Sequence, residues 1–233
     1  MINTDSEWLS VALKSSPIPG PVVSVIMFGS RAMRPDRVRT DSDVDLLCVV
    51  EADLKFPQSV ATKCQDVFLD ISYTTDRLAR YGLTKPDRNN ANYVLNALTE
   101  GVLLYDPSNI GTELMFLARN VRDAGPPPMT PSQLRELRLR AGAALGRMDS
   151  LFSQARTTAA DEGLLMFRCH NQFHLLFYAY CRTRQLWASS IANTFEWSKE
   201  NNQELYQLAS AFLEALTLEG KKDALYQLYR AIC

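Results

Sequence analysis

The sequence has few of the features that build disulfide frameworks, membrane spans or secretory leaders. Its five cysteines are odd in number and form no Cys-x-x-Cys pair, which predicts reduced thiols in a cytoplasmic protein. No apolar run approaches the roughly 20 residues that a membrane span needs. The first residues carry acids where a signal peptide needs bases. We therefore expect a soluble cytoplasmic protein without a membrane partner.

The chain also lacks an excess of charge of either sign. Its formal net charge is -1 over 233 residues, so no broad basic field is present to hold a long nucleic acid. A hydrophobic content of 46% with 22% charged residues is ordinary for a globular protein. At this length the chain can hold one large domain or two smaller ones.

A proline run separates two parts of the chain that have different patterns. The segment 125–128, Gly-Pro-Pro-Pro, loses three N–H donors and favours an extended backbone, which predicts a domain boundary. We expect one domain over residues 1–124 and a helical domain over residues 130–233. Before the boundary, the patterns predict strands at 22–28, 44–50, 67–73 and 102–105 and helices at 6–15, 76–81, 90–100 and 110–123. After it, they predict helices from Pro131 onward and at 164–180, 205–216 and 222–232, with 164–180 buried on nearly all sides.

Two aspartates at the start of one apolar run are the most informative feature of the sequence. Asp43 and Asp45 flank Val44, and the apolar run continues to Val50. Side chains at i and i+2 of a strand point to the same face, so the two carboxylates are predicted to stand side by side. Neighbouring anions repel unless a cation lies between them, and carboxylate oxygens suit Mg²⁺.

A Gly29-Ser30 pair ends the apolar run that precedes these acids. Glycine permits a sharp turn and the close approach of a ligand, and successive backbone N–H groups in such a turn can bind an anion. The Ser30 hydroxyl adds a donor for a phosphate oxygen. Arg31 follows directly and is predicted to lie near the phosphates. Three further arginines are predicted to form a solvated surface: Arg34, Arg37 and Arg39.

A third acid lies on a later predicted strand. Asp70 belongs to the run 67–73, and its carboxylate joins the other two if this strand pairs beside the strand of Asp45. Asp66 lies four residues earlier, on the same face of the predicted strand, and is the alternative third acid.

In this order, the elements resemble the nucleotidyltransferase superfamily, which includes DNA polymerase β-like enzymes, antibiotic nucleotidyltransferases and minimal nucleotidyltransferases. The resemblance covers roughly residues 22–75: an apolar strand, Gly-Ser, about a dozen residues, Asp-x-Asp and a later Asp. Residues 96–107 are similar to the helix and last strand that close this fold. The resemblance implies an α+β fold, with a nucleotidyltransferase-type mixed sheet and flanking helices followed by an all-helical bundle.

The resemblance also implies a reaction and a role for each matching residue. Asp43, Asp45 and Asp70 would be the catalytic acids and would bind two Mg²⁺ ions. Gly29 and Ser30 would hold the β- and γ-phosphates of ATP or another nucleoside triphosphate. The enzyme would move a nucleoside monophosphate, AMP in the case of ATP, onto a hydroxyl and release pyrophosphate.

The acceptor and the general base are left open. A helical half beside such a core resembles antibiotic nucleotidyltransferases, in which this half lines the acceptor pocket, so a small-molecule hydroxyl is the first expectation. The half from residue 130 has twelve Arg and Lys against ten Asp and Glu, which does not favour a cationic aminoglycoside. The alternatives are a protein acceptor, as in antitoxins that adenylylate a toxin, and a non-catalytic nucleotide-binding regulatory module. A separate base, such as Glu136 or Asp149, is also left open.

The acidic stretch 41–45 has plainer interpretations. It does not form a calcium loop, because the sixth position is Leu46 instead of glycine and the twelfth is Ala52 instead of glutamate. A solvated strand end beside an ordinary turn remains the structural alternative to a metal site.

The two histidines of the chain lie four residues apart in the predicted helix 164–180. His170 and His174 have the spacing of a zinc pair, but Asn171 replaces the glutamate of His-Glu-x-x-His sites, so a structural pair is favoured. Arg168 and His174 also resemble the short Arg-x(4–6)-His pattern of HEPN-type ribonucleases, which arises easily by chance.

Three aromatic residues lie in a segment that is predicted to be irregular. Trp187, Phe195 and Trp197 fall between two predicted helices. Capping the core of the bundle is the favoured interpretation, and stacking against an adenine or a sugar ring is the alternative.

Overall fold

The structure is a computed structural model that describes residues 4–14, 16–33, 42–84, 93–154 and 159–233. In these residues the chain forms two compact units, one before residue 125 and the other from Gly125 to Cys233. The predicted arginine surface at Arg34, Arg37 and Arg39 lies outside the described residues, as does the predicted start of the helix at 90–100.

The first unit combines strands and helices along the chain. Its elements are α1 (Thr4–Lys14), β1 (Val22–Phe28), α2 (Ser30–Met33), β2 (Val44–Val50), β3 (Gln58–Cys64), β4 (Val67–Thr74), α3 (Asp76–Thr84), α4 (Tyr93–Glu100), β5 (Val102–Tyr105) and α5 (Ile110–Ala124).

The strands form one mixed sheet in the order β3-β4-β2-β1-β5. β2 and β4 run parallel, while the other neighbouring pairs are antiparallel. The long apolar runs occupy the centre of the sheet, since every residue of β1 and all but one of β2 are buried. A strand buried on both faces requires such a continuous run.

Strand β3 is not predicted from the sequence. Its residues, Gln58–Cys64, are exposed or half-buried, and they contain no apolar run. β3 lies at one edge of the sheet, where a single neighbour, β4, supplies its hydrogen bonds. An edge strand buries little surface, so its sequence carries a weak hydrophobic signal.

Alternation along the strands gives the sheet two different faces. Val44 and Leu46 of β2 and Leu69 of β4 belong to a core that includes Trp8 of α1. Since successive side chains of a strand point in opposite directions, Asp45 lies on the other face. The sheet therefore keeps its acids away from the core that α1 covers.

The elements that the structure describes in the second unit are helices. Its elements are α6 (Pro131–Gln154), α7 (Ala159–Thr183), α8 (Ile191–Asn201), α9 (Gln203–Glu214) and α10 (Leu218–Ile232). At the start of α6, the Gln133 N–H donates to the Thr130 hydroxyl and the Thr130 N–H donates to the Gln133 side chain, at 3.2 and 2.8 Å. This reciprocal cap explains where α6 begins. The predicted fold class, a mixed sheet with helices followed by a helical bundle, is confirmed.

Helix α7 is not buried on all sides, and that prediction is wrong. One face packs into the core of the bundle through residues such as Phe173 and Phe177. Leu164, Phe167 and Leu175 are instead 51, 63 and 59% exposed. The apolar content of the segment exceeds what one packed face of a helix can hold, so composition alone overstated its burial.

The segment with the three aromatic residues is also more regular than predicted. Phe195 and Trp197 lie on α8, which begins after Ser190, whose hydroxyl accepts a hydrogen bond from the Asn193 N–H. Phe195 packs against the core of the bundle and lies 5.2 Å from the ring of Tyr206. Its position agrees with the favoured interpretation of a cap on the core.

Among the helices that the structure describes, none combines the length and the apolar content that crossing a bilayer requires.

Candidate active site

Asp45 and Asp70 are neighbours across two parallel strands. The register of β2 and β4 pairs these two residues directly, and in-register side chains on adjacent strands share one face of the sheet. Asp43 precedes β2 and is exposed, whereas Asp45 is half-buried and Asp70 is exposed. The strand pairing on which the third acid depends is therefore present.

The three acids interact electrostatically at Asp45. Burial, followed by the negative charges of Asp43 and Asp70, raises the pKa of Asp45 from its ordinary value of 3.8 to about 6. Each cause penalises the ionised form, because a partly desolvated anion is held near two like charges. The group is thus in an environment that a nearby cation would stabilise.

Gly29 closes one side of the Asp45 carboxylate. It follows β1 with φ +75°, a conformation that favours glycine. A Cβ at this position would overlap the Asp45 side chain. The turn therefore brings bare backbone against the carboxylate, and Ser30, exposed, begins the single turn of α2 immediately afterward.

Arg31 contacts the backbone around the acids. Its Nη2 donates to the Ser42 carbonyl at 2.6 Å, and its Nε lies 3.2 and 3.1 Å from the carbonyls of Ser42 and Asp43. The guanidinium also lies over the Trp8 ring, 5.4 Å from its centroid. These contacts fix the segment that carries Asp43, a role that sequence reasoning did not assign to Arg31.

Asp66 lies away from the other acids. β4 begins at Val67, so Asp66 falls in the turn between β3 and β4 instead of on the strand. Its side chain is fully exposed and lies 3.6 Å from the Lys63 ammonium. The expectation that Asp66 and Asp70 share a strand face is wrong, because the chain reverses direction at residues 65 and 66.

A hydroxyl chain that was not predicted from the sequence adjoins the acids. The Tyr93 hydroxyl donates to Ser72 Oγ at 2.9 Å, and Ser72 Oγ lies 3.0 Å from Ser59 Oγ. Burial of the hydroxyl, with smaller effects from Asp45 and Asp70, raises the pKa of Tyr93 to about 12. The position of Ser72, two residues after Asp70, is the one sequence signal that could have identified this group.

The Tyr93 ring stands edge-on to Phe28 at the end of β1. Their ring centroids are 5.1 Å apart with an interplanar angle of 85°, a favourable geometry for two aromatic rings. Tyr93 is 48% exposed, so part of its ring faces solvent beside the acids.

No preformed group of three or more His, Cys, Asp or Glu side chains that could hold a metal ion occurs in the described parts of the chain. Asp43 and Asp70 are close enough to raise the pKa of Asp45, yet the three acids are not gathered as ligands around a point.

The two histidines of α7 have different surroundings. His170 Nδ1 lies 2.8 Å from the Met166 carbonyl, and its ring is edge-on to Phe212 at 5.3 Å. His174 and Arg168 are exposed. The contacts of His170 agree with a structural role.

The two candidate bases of the helical half already have polar partners. Asp149 accepts a hydrogen bond from the Tyr226 hydroxyl and lies 3.2 Å from the Lys222 ammonium. The Tyr226 hydrogen bond lowers the pKa of Asp149. Glu136 forms an ion pair with Arg140 one helical turn away. A carboxylate that is stabilised as an anion is a weaker base, so these contacts do not favour Asp149.

No protein-family model matches the chain, and no curated protein matches it. Among solved structures, a nucleotidyltransferase-like protein from Exiguobacterium sibiricum 255-15 is 14% identical to this chain. The match covers 99% of this chain and 74% of that protein, with a TM-score of 0.48. A likeness this distant carries no argument about function, so the residues of the site have to support any proposal.

Proposed function

We propose that the protein is an Mg²⁺-dependent nucleotidyltransferase that transfers AMP from ATP to a hydroxyl of a small molecule, such as an antibiotic, and releases pyrophosphate. The observation that carries this proposal is the placement of Asp45. Its carboxylate lies beside Asp70, against the bare backbone of Gly29, in surroundings that disfavour its charge. A site of this kind gains stability when a cation binds.

The residues present fit a hard divalent cation. Carboxylate oxygens suit Mg²⁺, which proteins usually hold through one or two carboxylates together with substrate phosphates. Asp43, Asp45 and Asp70 are the residues that would hold it. Bound Mg²⁺ would supply charge stabilisation to the attacking and leaving oxygens of an in-line displacement.

The chain's own groups would bind and orient the nucleotide. Gly29 has no side chain of its own and lies against the Asp45 carboxylate, and the Ser30 hydroxyl is exposed beside it. These two residues would hold the β- and γ-phosphates and keep the leaving pyrophosphate in place. Arg31 would act on the same site by fixing the backbone at Asp43, and its positive charge would favour the triphosphate.

We propose that residues 1–124 form the catalytic domain and that residues 130–233 form a helical bundle domain. The separation of two compact units at residues 124 and 125 supports this division. A cytoplasmic location is part of the proposal, and the free thiols at all five cysteines support a reducing compartment.

Labelled ATP gives a direct test of the proposal. The full chain is incubated with ATP labelled in the α-phosphate, Mg²⁺ and a panel of aminoglycosides, lincosamides and lysate proteins, and the labelled product is identified. We expect Mg²⁺-dependent transfer to a small-molecule hydroxyl, with loss of transfer in Asp43→Ala. Asp66→Ala is the matched control, because it removes an exposed acid of the turn.

Near-normal turnover of Asp43→Ala with ATP and Mg²⁺ would exclude the assigned metal ligands. Label on a protein instead of a small molecule would identify the acceptor as a protein. ATP binding that is indifferent to Mg²⁺, with no transfer to any acceptor, would indicate a regulatory nucleotide-binding module.

A further inference from the structure

One face of α7 exposes large apolar side chains that do not belong to the core of the bundle. Leu164, Phe167 and Leu175 are each more than half exposed, although the same helix supplies Phe173 and Phe177 to the core. Large apolar patches on the surface of a folded protein mark sites of contact with other molecules. The exposed face of α7 is therefore a candidate interaction surface.

The three apolar residues form one line with two further residues, and the line is here called the α7 stripe: Leu164, Phe167, Asn171, Leu175 and Tyr178. Asn171 is exposed and Tyr178 is half-buried. At about 100° of rotation per residue, all five lie within an arc of about 80° on the helix surface. The intervals between them are three, four, four and three residues, so the α7 stripe has the same spacing in both directions from Asn171.

This symmetric spacing makes the α7 stripe complementary to a second copy of itself that runs in the opposite direction. A two-fold interface uses the same surface on both partners, and each of its contacts occurs twice. With Asn171 at the two-fold axis, Phe167 lies at the level of Leu175 of the second copy, and Leu164 lies at the level of Tyr178 of the second copy. The two Asn171 amides meet at the axis, where each can donate and accept a hydrogen bond. A single polar residue in an apolar seam between helices fixes the register of pairing.

The charge on this face favours the antiparallel direction over the parallel one. Arg168 is the only Arg, Lys, Asp or Glu residue between positions 163 and 178, and it is exposed beside the α7 stripe. A parallel pair would place the two arginines at the same level. The antiparallel pair separates them by six residues, which is about 9 Å along the helix axis and close to the screening length at physiological salt.

The apolar surface extends beyond the α7 stripe. A stable dimer buries about 800 Å² on each partner, which a stripe about 21 Å long does not supply alone. A cavity of about 480 Å³ between α6 and α7 is lined by Leu175 and Tyr178 of the stripe and also by Met129 and Leu137. The contact surface of α7 therefore continues onto α6.

We infer that the chain forms a two-fold dimer in which the α7 stripes of two copies pack antiparallel. Phe167 and Leu175 form the centre of the contact, and each is buried twice because of the symmetry. The inference does not depend on the proposed nucleotidyl transfer, since all the residues that carry it belong to the second unit.

Sedimentation equilibrium of the full chain over a range of concentrations tests this dimer. We expect the unaltered protein to reach twice the mass of one chain. Phe167→Glu is expected to weaken dimerisation roughly a hundredfold or more, because the symmetric interface would bury two unpaired carboxylates. Phe116→Glu is the matched control, since it changes a phenylalanine of α5 that is 66% exposed and lies outside the α7 stripe. This control is expected to dimerise normally.

A mixture of two variants tests the direction of pairing. Phe167→Glu and Leu175→Lys are each expected to be monomeric alone. In an equimolar mixture, antiparallel pairing brings the new glutamate beside the new lysine and keeps an apolar pair at the other end of the contact. Parallel pairing would separate the two charges by eight residues. We therefore expect the mixture to dimerise.

Each opposite result overturns the inference. A monomeric unaltered protein excludes the dimer, and normal dimerisation of Phe167→Glu assigns the dimer to another surface. A mixture that stays monomeric excludes the antiparallel register. Urea unfolding of every monomeric variant is expected to match the unaltered chain at low concentration, since both substitutions change exposed side chains. A monomeric protein that Phe167→Glu destabilises would show that another part of the same chain covers the α7 stripe.

Discussion

Gly29 and Asp45 are packed so closely that the glycine has no room for a side chain. Gly29 directly follows Phe28, whose Cα pairs with that of Asp45 in the register of β1 and β2. The backbone of the turn and the carboxylate are therefore set by the same strand pairing, and changes to either residue should affect the other.

Gly29→Ala should disturb both stability and activity. The new Cβ meets the Asp45 carboxylate, and φ +75° is unfavourable for alanine. We expect a loss of about 2 kcal/mol in the free energy of unfolding, measured by urea denaturation, and a large loss of nucleotidyl transfer. Gly146→Ala is the control, since a Cβ added at this helical glycine would meet no heavy atom within 4 Å. This substitution should be neutral or stabilise by about 0.5–1 kcal/mol.

Asp45→Asn should stabilise the protein above pH 6 in buffer without divalent cations. The folded-state pKa of Asp45 is raised from 3.8 to about 6, so the folded chain holds this proton more tightly than the unfolded chain. Ionisation therefore removes stability as the pH rises from about 4 to about 6. We expect the neutral amide to restore roughly 1–2 kcal/mol at pH 7.5 and to abolish transfer.

The pH dependence provides the check on this prediction. Urea unfolding of Asp45→Asn and the unaltered protein is compared at pH 4 and pH 7.5, and their difference should be larger at the higher pH. Asp66→Asn, in the exposed turn, should show little change at either pH. An Asp45→Asn variant that is destabilised equally at both values would contradict the assigned environment.

Arg31→Lys should loosen the backbone at Asp43. Lysine keeps the positive charge but cannot reproduce the guanidinium contacts with two carbonyls and the Trp8 ring. We expect a loss of roughly 1–3 kcal/mol in unfolding free energy and weaker binding of Mg²⁺-ATP in calorimetry. Arg119→Lys, an exposed arginine of α5, should change neither. Normal stability with weakened binding would indicate that Arg31 acts on the nucleotide alone.

Tyr93→Phe and Ser72→Ala should be energetically coupled. Each removes one partner of the same hydrogen bond, which is 2.9 Å long. We expect each single change to lower the unfolding free energy by about 1 kcal/mol, and the double variant to lose less than the sum of the two. A double-mutant cycle by urea denaturation measures this coupling. Fully additive losses would show that the hydrogen bond does not form in solution.

The sequence predicted the elements whose secondary structure follows from their own residues. The apolar runs of β1 and β2 are confirmed as strands, because strands buried on both faces need continuous apolar residues. The strand predicted at 67–73 is confirmed as β4, in which exposed Phe68 and Asp70 alternate with buried Leu69 and Ile71. β3 and α8 were missed: β3 is a polar edge strand, and α8 has a mixed pattern that is also typical of irregular segments. Their formation depends on neighbours that a local pattern does not contain.

The candidate site likewise combines features that the sequence predicted with features that depend on the folded chain. The neighbouring positions of Asp45 and Asp70 follow from strand pairing that the motif order anticipated, whereas their metal-binding role stays a prediction. The contact between Tyr93 and Ser72 joins residues 21 positions apart on a helix and a strand. The hydrogen bonds of the Arg31 guanidinium to backbone carbonyls are likewise a property of the folded chain. The sequence indicates only that a positive charge lies near the acids.

The edge position of β3 has a consequence for self-association. Its outer hydrogen-bonding groups could serve as a template for a strand of another molecule. The strand carries Gln58, Ser59, Thr62 and Lys63, which make it polar and place a positive charge beside the edge. Charged and polar edge strands oppose intermolecular β-pairing and amyloid-like growth, so the sheet that positions the acids is protected against aggregation at this side.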